Sequence, residues 1–538
     1  MKKLLLFFAL IMSIFFSAQA GYVIKGITAS ATANNLKNYT LALNANGYPV
    51  SAASIYTPSG GGTGRNTIVI ITAGQYDPIF RFPISFPSGA DEIYDIDVLD
   101  FHYVPSRDVY VLCGSRKTNT YSRAFVAVIQ GNLSSMQYNE YSEADMFYSI
   151  WAENAISPSL DYYVCGKSGA HGVIASIRTS NLVMTNCYGT ENEWEYHKII
   201  AKQIIPGGSY RFVASGRNPA CTQIGYTLFL PSFSPINSYA WAQNSEPNSH
   251  CVLCDNVLAS SSDQIILASS YQSSVTLHFV SSFASPFMLV NVYNYVFPST
   301  PGSTKYNVQD IGMFPINDAV YPHISVVGYI EDVSNFRTMA WYGYVLVAVS
   351  PSVAMLTNSY YGSAGEEYMH YKIKGDQQGD VFTGGYQQNS VQKMGALFGK
   401  PITVAPNCDH RSTNMTTILD DPIPTTFNLL PKIVSVRDYN TFSGSLYSMD
   451  YYFPCTPFKV VEPAPELAMP AEQESEITTY NDHITVKDIS THTHYQIYSA
   501  TGQLLQTGVT TSDISTTQLS KGLYILRLEN GKAFKFVK

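Results

Sequence analysis

The chain has 538 residues, of which 13% are charged and 45% hydrophobic, with 40 tyrosines and a formal net charge of −8. Lys and Arg number 32 against 40 Asp and Glu, so the chain lacks the basic footprint of a nucleic-acid binder, and its apolar content is too high for a disordered protein. A long coiled coil would need far more Glu, Lys, Arg and Ala; what remains is a large, aromatic-rich, β-rich protein, long enough for one large repeat fold plus an appendage.

At the N-terminus, Lys2 and Lys3 precede an apolar run from Leu4 to Phe16, and Ala18-Gln19-Ala20 supplies a small-x-small cleavage site. The run is short for a bilayer span. The pattern predicts a secretory signal peptide over 1–20, cut between Ala20 and Gly21. No later stretch reads as a transmembrane helix; the best, Tyr342 to Leu356, is broken by Ser350-Pro351-Ser352.

From Gly21 to about residue 458 there is no long helical period. One unit recurs instead: a β-branched or aromatic run ending in a small residue, usually glycine, then a polar turn and a second apolar run. The copies are Thr67 to Gly74, Asp108 to Gly114, Asp161 to Gly166, Tyr210 to Gly216, Gln264 to Ser270, His323 to Gly328 and Asp380 to Gly385. A spacing near fifty with paired strands predicts a β-propeller of about seven blades, with tandem β-sandwiches as the rival architecture. The glycines are expected at strand ends, where positive φ or close approach between blades excludes a Cβ. No Trp-Asp, kelch or sialidase repeat signature is present.

The mature chain carries Cys113, Cys165, Cys187, Cys221, Cys251, Cys254, Cys408 and Cys455. An even count in an exported protein predicts disulfides. Cys251 and Cys254 have C-x-x-C spacing, but the segment reads as a strand and no second pair completes a zinc site. There is no G-x-S-x-G, H-E-x-x-H or P-loop. Asp91, Glu92, Asp95, Asp97 and Asp100 cluster; alternation puts Asp95 and Asp97 on one face, as calcium or channel-lining carboxylates or, more simply, the polar side of a blade strand. Trp151, Trp194, Trp241 and Trp341 are either stacking platforms or inter-blade packing. His492 and His494 share a strand face and read as solvent-facing. No catalytic residue, metal site or cofactor is nominated.

Residues 459–479 form an acidic linker, with Pro463, Pro465, Pro470 and five glutamates between Val460 and Thr479; Pro and like charge keep such a segment extended. Residues 480–538 then read as a small antiparallel, Ig-like β-sandwich. Strands flank the Ser499-Ala500-Thr501-Gly502 turn, and Leu523 to Leu528 leads through Asn530-Gly531 to Lys532 to Val537. Ile497, Tyr498, Gly502, Leu519, Gly522, Tyr524, Lys535 and Lys538 fall in the order and spacing of a known family. This segment resembles the C-terminal sorting domain of type IX secretion system cargo, departing from it at Ser499, where an aspartate is common.

The resemblance implies a sorting signal carried by Tyr498, Gly502, Gly522, Tyr524, Lys535 and Lys538. It also implies docking on the type IX translocon, clipping by a sortase-like peptidase, and either attachment to surface lipopolysaccharide or release. The expected location is secreted or outer-membrane cell surface. For the passenger, two functions are open. One is a non-catalytic module binding an extracellular glycan, peptide or protein. The other is a glycan- or peptide-degrading enzyme with paired carboxylates in the channel.

Overall fold

The computed structural model describes residues 23–29, most of 36–452 and most of 477–538, apart from connecting stretches such as 153–160, 243–251, 347–355 and 401–413. Ala20 and Gly21, which flank the expected signal-peptide cleavage site, Gly502, and the expected linker up to residue 476 lie outside the described residues. The chain divides into two compact units, Met1–Phe458 and Lys459–Lys538.

The first unit is a succession of antiparallel four-stranded meanders, the last two joined by a single parallel bridge between Thr338 and Glu367. The first is Ala42–Leu43, Pro49–Ile55, Thr67–Thr72 and Ile79–Pro83, and the second Asp95–Val104, Val109–Lys117, Ser122–Gln130 and Ser135–Tyr141. The third is Met146–Trp151, Asp161–Ser168, His171–Arg178 and Met184–Glu193, and the fourth Glu195–Gln203, Tyr210–Arg217, Gln223–Phe229 and Pro235–Ala242. The fifth runs from Val252–Asp255 through Gln264–Tyr271 and Ser274–Ser281 to Met288–Val296, and the sixth from Thr304–Phe314 through His323–Asp332 and Arg337–Leu346 to Leu356–Tyr361. The seventh comprises Glu366–Gly375, Val381–Asn389 and Met394–Lys400, and its fourth strand is the N-terminal Val23–Ala29, in register from Val23↔Lys400 to Thr28↔Gly395.

No central core exists among the described residues; each meander shares a core with the next. Side chains alternate across every strand, so one face of a sheet feeds the core before it and the other the core after it. Tyr110 and Leu112 pack with Ala52 and Ile70 of the first meander, whereas Val111 and Cys113 pack with Phe147 and Val164 of the third. The series continues with Cys165 against Phe212, Val213 against Leu267, Ala268 against Val308, and Val327 against Ile373. The seventh meander meets the first through Asn38 Nδ2, which donates to Gly385 O at 3.0 Å, and through the Tyr39 and Tyr371 rings at 4.8 Å. The succession therefore closes into a ring, and the architecture is a β-propeller. Covering on both faces explains why Val109–Lys117, a second strand, is buried at all but its last position, as buried sheets require.

A feature with no local sequence signal runs around the outside. Short strands between residues 414 and 452 each pair antiparallel with the outermost strand of a meander. Asn414–Thr417 pairs with the fifth, Thr425–Thr426 with the fourth and Leu429–Pro431 with the third. Asn440–Ser443 then pairs with the second, Ser445–Tyr447 with the first and Met449–Tyr452 with the closing strand of the seventh. The chain thus retraces the ring backwards as a belt, pairing backbone edges that would otherwise be templates for association.

Three sequence expectations change here. The copy at Thr67 to Gly74 is the third strand of its meander, whereas the other six are second strands; this shift of one strand accounts for the short first interval. The repeat glycines lie inside strands, and none of Gly114, Gly166, Gly216 and Gly328 has positive φ. Instead, a Cβ there would lie 1.8–2.0 Å from a carbonyl oxygen of the neighbouring inner strand: Asp97, Met146, Glu195 and Asn307 respectively. The close approach is within a meander, not between meanders. Finally, Cys113, Cys165, Cys187 and Cys221 are free and buried, while the side chains of Cys251, Cys254, Cys408 and Cys455 lie outside the described residues. Cys113 and Cys165 occupy the position before the repeat glycine in adjacent meanders and serve as small apolar residues between sheets; burial pushes both thiols well above their ordinary range.

The second unit has two antiparallel sheets. One is Ile477–Thr479, His483–Val486 and Asp513–Ser515; the other is Leu504–Thr510, Thr493–Ser499, Leu523–Leu528 and Ala533–Val537. Ile477–Thr479, at the end of the acidic segment, is already part of this sheet. Ile484, Val486, Tyr495, Ile497, Ile514, Leu526, Leu528 and Phe536 form the core, contributed by alternate residues of each strand.

Candidate functional site

The inner strands of five meanders carry the same irregularity. One extra residue enters between Val98 and Asp100, Phe147 and Ser149, Tyr196 and Lys198, Val308 and Asp310, and His370 and Lys372. Such a bulge reverses the alternation beyond it. Asp97 pairs with Ser115 and Asp100 with Cys113, so these residues share a face although they stand three apart. The bulge turns Asp100, Ser149, Lys198, Asp310 and Lys372 into one layer, the first three at 49-residue intervals.

This layer is a buried ion-pair network. Asp100 Oδ1 lies 3.2 Å from Lys372 Nζ, joining the second and seventh meanders past the first. Lys198 Nζ lies 3.4 Å from Asp310 Oδ1, joining the fourth and sixth past the fifth. Pairs that skip a meander run past the inner strand between them, on the inner side of the ring. Each carboxylate also satisfies an amide of the following meander beside its bulge. Ile150 N donates to Asp100 Oδ2 at 3.0 Å and Ile373 N to Asp310 Oδ2 at 3.1 Å. Ser149 Oγ donates to Asp100 at 2.7 Å, and His102 Nε2 is 3.3 Å away. Burial opposes the charge on Asp100, but Lys372, His102 and Lys198 outweigh it and hold the carboxyl well below its usual range. Burial lowers the pKa of His102. Both aspartates are 1% exposed.

A second cluster joins the third and fourth meanders. Glu195 contacts Lys167, His197 Nε2 at 3.5 Å and Arg217 at 3.9 Å, and the His197 and Tyr148 rings are 4.6 Å apart. Burial works against Glu195's charge, yet hydrogen bonds from His197 and Lys167 bring it down to about 2.

Of the acidic segment singled out from sequence, Asp97 sits 3.9 Å from Lys117, Asp95 is half-buried, and Asp91 and Glu92 lie outside the described residues. Asp100 is the member that reaches the axis, and alternation alone placed it on the wrong face. Trp194, Trp241 and Trp341 are buried, so they pack between sheets and offer no platform; Trp151 is half-buried, edge-on to Phe212 at 5.2 Å. No cluster of three metal-ligating side chains occurs among the described residues.

In the C-terminal unit the structure brings together three of the residues expected to carry the sorting signal. Lys538 exchanges backbone hydrogen bonds with Gly522, at 3.0 and 3.1 Å. Its Nζ donates to Leu519 O at 2.6 Å and to Thr516 O. Tyr524 OH donates to Ser520 O at 2.7 Å. The terminal residue and Tyr524 thus clamp the 516–522 turn from both sides. At Gly522 a Cβ would meet only ordinary contact with the Tyr524 ring. Tyr498, Ile525 and Lys535 lie in register across three strands, apart from this clamp; Tyr498 OH donates to Gln496 Oε1 at 2.8 Å. Leu519 belongs with the clamp residues.

Residues 479–538 match the family described as the secretion system C-terminal sorting domain. The C-terminal unit is therefore a sorting domain of the type IX secretion system, which directs the chain to secretion or the cell surface. No curated protein matches the chain. Among solved structures, the Dos1 propeller is similar at 9% identity and a TM-score of 0.36, covering 67% of this chain and 92% of that one. Sqt1 from Chaetomium thermophilum is similar at 6% identity and 0.34, covering 68% and 96%. At these scores the assignment of a propeller rests on strand order and ring closure.

Proposed function

We propose that the passenger is a non-catalytic binding module, a seven-bladed ring delivered to the cell surface or medium, that recognises an extracellular glycan, peptide or protein. The observation that carries this reading is the state of the axial carboxylates. Acid-base or nucleophilic catalysis needs carboxylates facing substrate with pKa values split between roles; Asp100 and Asp310 are buried and each is paired with a lysine. Their geometry suits joining blades across the axis. Incubating the purified passenger with extracellular polysaccharides and peptides tests this: saturable binding without product is expected, and turnover of any of them would overturn it.

The processing steps belong to the same proposal. The signal peptide is removed between Ala20 and Gly21, and the sorting domain, Ig-like in design, docks on the translocon. A sortase-like peptidase cuts within the acidic linker 459–476, and the passenger is joined to lipopolysaccharide or released. The Lys538 clamp supports a recognition surface shaped by the turn at 516–522. Deleting Gly522 to Lys538 should leave the protein in the periplasm; surface delivery of that truncation would contradict the sorting role.

A further inference from the structure

Each bulge on an inner strand sets one side chain apart from the sheet. Leu99, Tyr148, His197, Gln309 and Tyr371 are the residues passed over in the strand register of the second, third, fourth, sixth and seventh meanders. All five are half-buried, and the residue after each is buried. The first meander follows the same pattern: Tyr39, just ahead of its inner strand, is half-buried and is followed by the buried Thr40. A bulge re-aims a side chain in this way, so six inner positions keep accessible surface directly beside the buried ion-pair layer. Four of the six are aromatic, and they meet in two pairs. The Tyr148 and His197 rings are 4.6 Å apart at 34°, and the Tyr39 and Tyr371 rings 4.8 Å apart at 89°. In the order of meanders around the ring, the second, with Leu99, separates the pairs one way, and the fifth and sixth, with Gln309, the other way. Polar groups adjoin the first pair: Lys167 Nζ lies 6.0 Å from the centre of the Tyr148 ring, and Glu195 Oε2 lies 3.5 Å from His197 Nε2.

We infer that the inner side of the ring is a saccharide site, in which sugar rings of an extracellular glycan stack on Tyr148 with His197 and on Tyr371 with Tyr39. The face of an aromatic ring is negative, and the C–H groups on one side of a pyranose present it with an apolar, weakly positive surface. The tyrosine hydroxyls, the Gln309 amide and the Lys167–Glu195 pair supply donors and acceptors for the sugar hydroxyls. Aromatic side chains with a few polar groups among them are the usual lining of a small-molecule site. Aromatic rings also hold cations, but the Lys167 ammonium already stands over Tyr148, so a cationic ligand would meet like charge there. The neighbouring charges are matched among themselves, Asp100 with Lys372, Asp310 with Lys198 and Glu195 with Lys167, so the ligand needs no formal charge. This inference rests on the binding-module reading and narrows its ligand from glycan, peptide or protein to a glycan.

Oligosaccharides of α- and β-linked glucose, mannose, xylose and N-acetylglucosamine would be offered to the full chain, with choline chloride and a tryptic digest of casein as the competing chemistries. Saturation-transfer difference NMR reads which ligand protons touch the protein, and titration calorimetry reads the affinity. Saturable binding of at least one oligosaccharide is expected, with its ring C–H protons the most strongly saturated. Affinity should fall by about tenfold or more in Tyr148→Ala and in Tyr371→Ala, and should be largely kept in Tyr148→Phe, which retains the ring. Gln309→Ala and Lys167→Met, which remove hydroxyl partners, should each weaken binding by about threefold; they carry the test if the alanine variants fail to fold. Wild-type affinity in both folded alanine variants, or in Gln309→Ala and Lys167→Met where those stand in, would overturn the inference. Binding of choline or casein peptides with none of the oligosaccharides would overturn it and leave the binding-module reading standing, whereas no binding by any probe would overturn both. Hydrolysis of an oligosaccharide whose affinity depends on Tyr148 and Tyr371 would count against the non-catalytic reading and leave this one standing.

Discussion

Replacing Asp100 by alanine should be among the most damaging single changes in the passenger. The side chain is 1% exposed and holds Lys372 Nζ at 3.2 Å, Ser149 Oγ at 2.7 Å and the Ile150 amide at 3.0 Å. Removing one partner of a buried pair strands the other charge, at about 3–5 kcal/mol, and an orphaned buried amide adds about 1–3 kcal/mol. The two losses share one site and overlap, so about 5 kcal/mol is expected, a large part of the roughly 5–15 kcal/mol that holds a domain folded. All four tryptophans lie in the passenger, so their fluorescence during guanidinium unfolding reports that unit alone. The double variant Asp100→Ala/Lys372→Met removes the stranded ammonium and should recover about 2 kcal/mol or more. A single variant within about 1 kcal/mol of wild type would refute the axial network as a structural tie.

Gly216→Ala places a methyl 2.0 Å from Glu195 O; the inner strand must shift, with a loss of about 1–3 kcal/mol in the same unfolding assay. Lys374→Met should stabilise. Burial and Lys198 lower the folded-state pKa to about 8, so the unfolded chain binds more protons between about 8 and 10.5. Wild-type stability therefore rises with pH across that window, by up to about 3 kcal/mol, and this rise should vanish in the variant. Glu195 gives the same direction in an acid window: held at about 2 against an ordinary 4.5, it contributes stability above 4.5 that is lost as pH falls towards 2. Glu195→Gln should remove up to about 3 kcal/mol of that acid dependence. In the sorting domain, Lys538→Ala opens the clamp on Thr516 and Leu519 and should speed amide exchange in the 516–522 turn while leaving the buried core protected; unchanged exchange would refute the clamp.

Much of the repeat was legible because it is local. The Val-Leu-Cys-Gly and Val-Cys-Gly endings at Gly114 and Gly166 mark second strands, and the two-residue period within them is visible directly. The reason for the glycine was not legible, since it lies in a carbonyl of the neighbouring strand. The axial layer left a faint trace: Asp-Val-Leu-Asp at 97–100, Met-Phe-Tyr-Ser at 146–149 and Glu-Tyr-His-Lys at 195–198 recur every 49 residues. Aligning the inner strands rather than the glycine strands would have revealed it. Strict alternation hid it, because the bulge moves Asp100 onto the face of Asp97.

The low charge fraction, the strand-rich passenger and the sorting domain were determined by the amino-acid sequence itself, because each is written in short contiguous patterns: β-branched runs, turn residues and a motif confined to the last sixty positions. Tertiary structure alone decided which charges meet and how the edges are paired. Asp100 finds Lys372 across 272 positions, and the belt at 414–452 returns to strands laid down as early as Val23. Such pairings carry no period along the chain. They exist because a ring must close on itself, bringing every inner strand to one axis and leaving every outer strand with an edge to be paired.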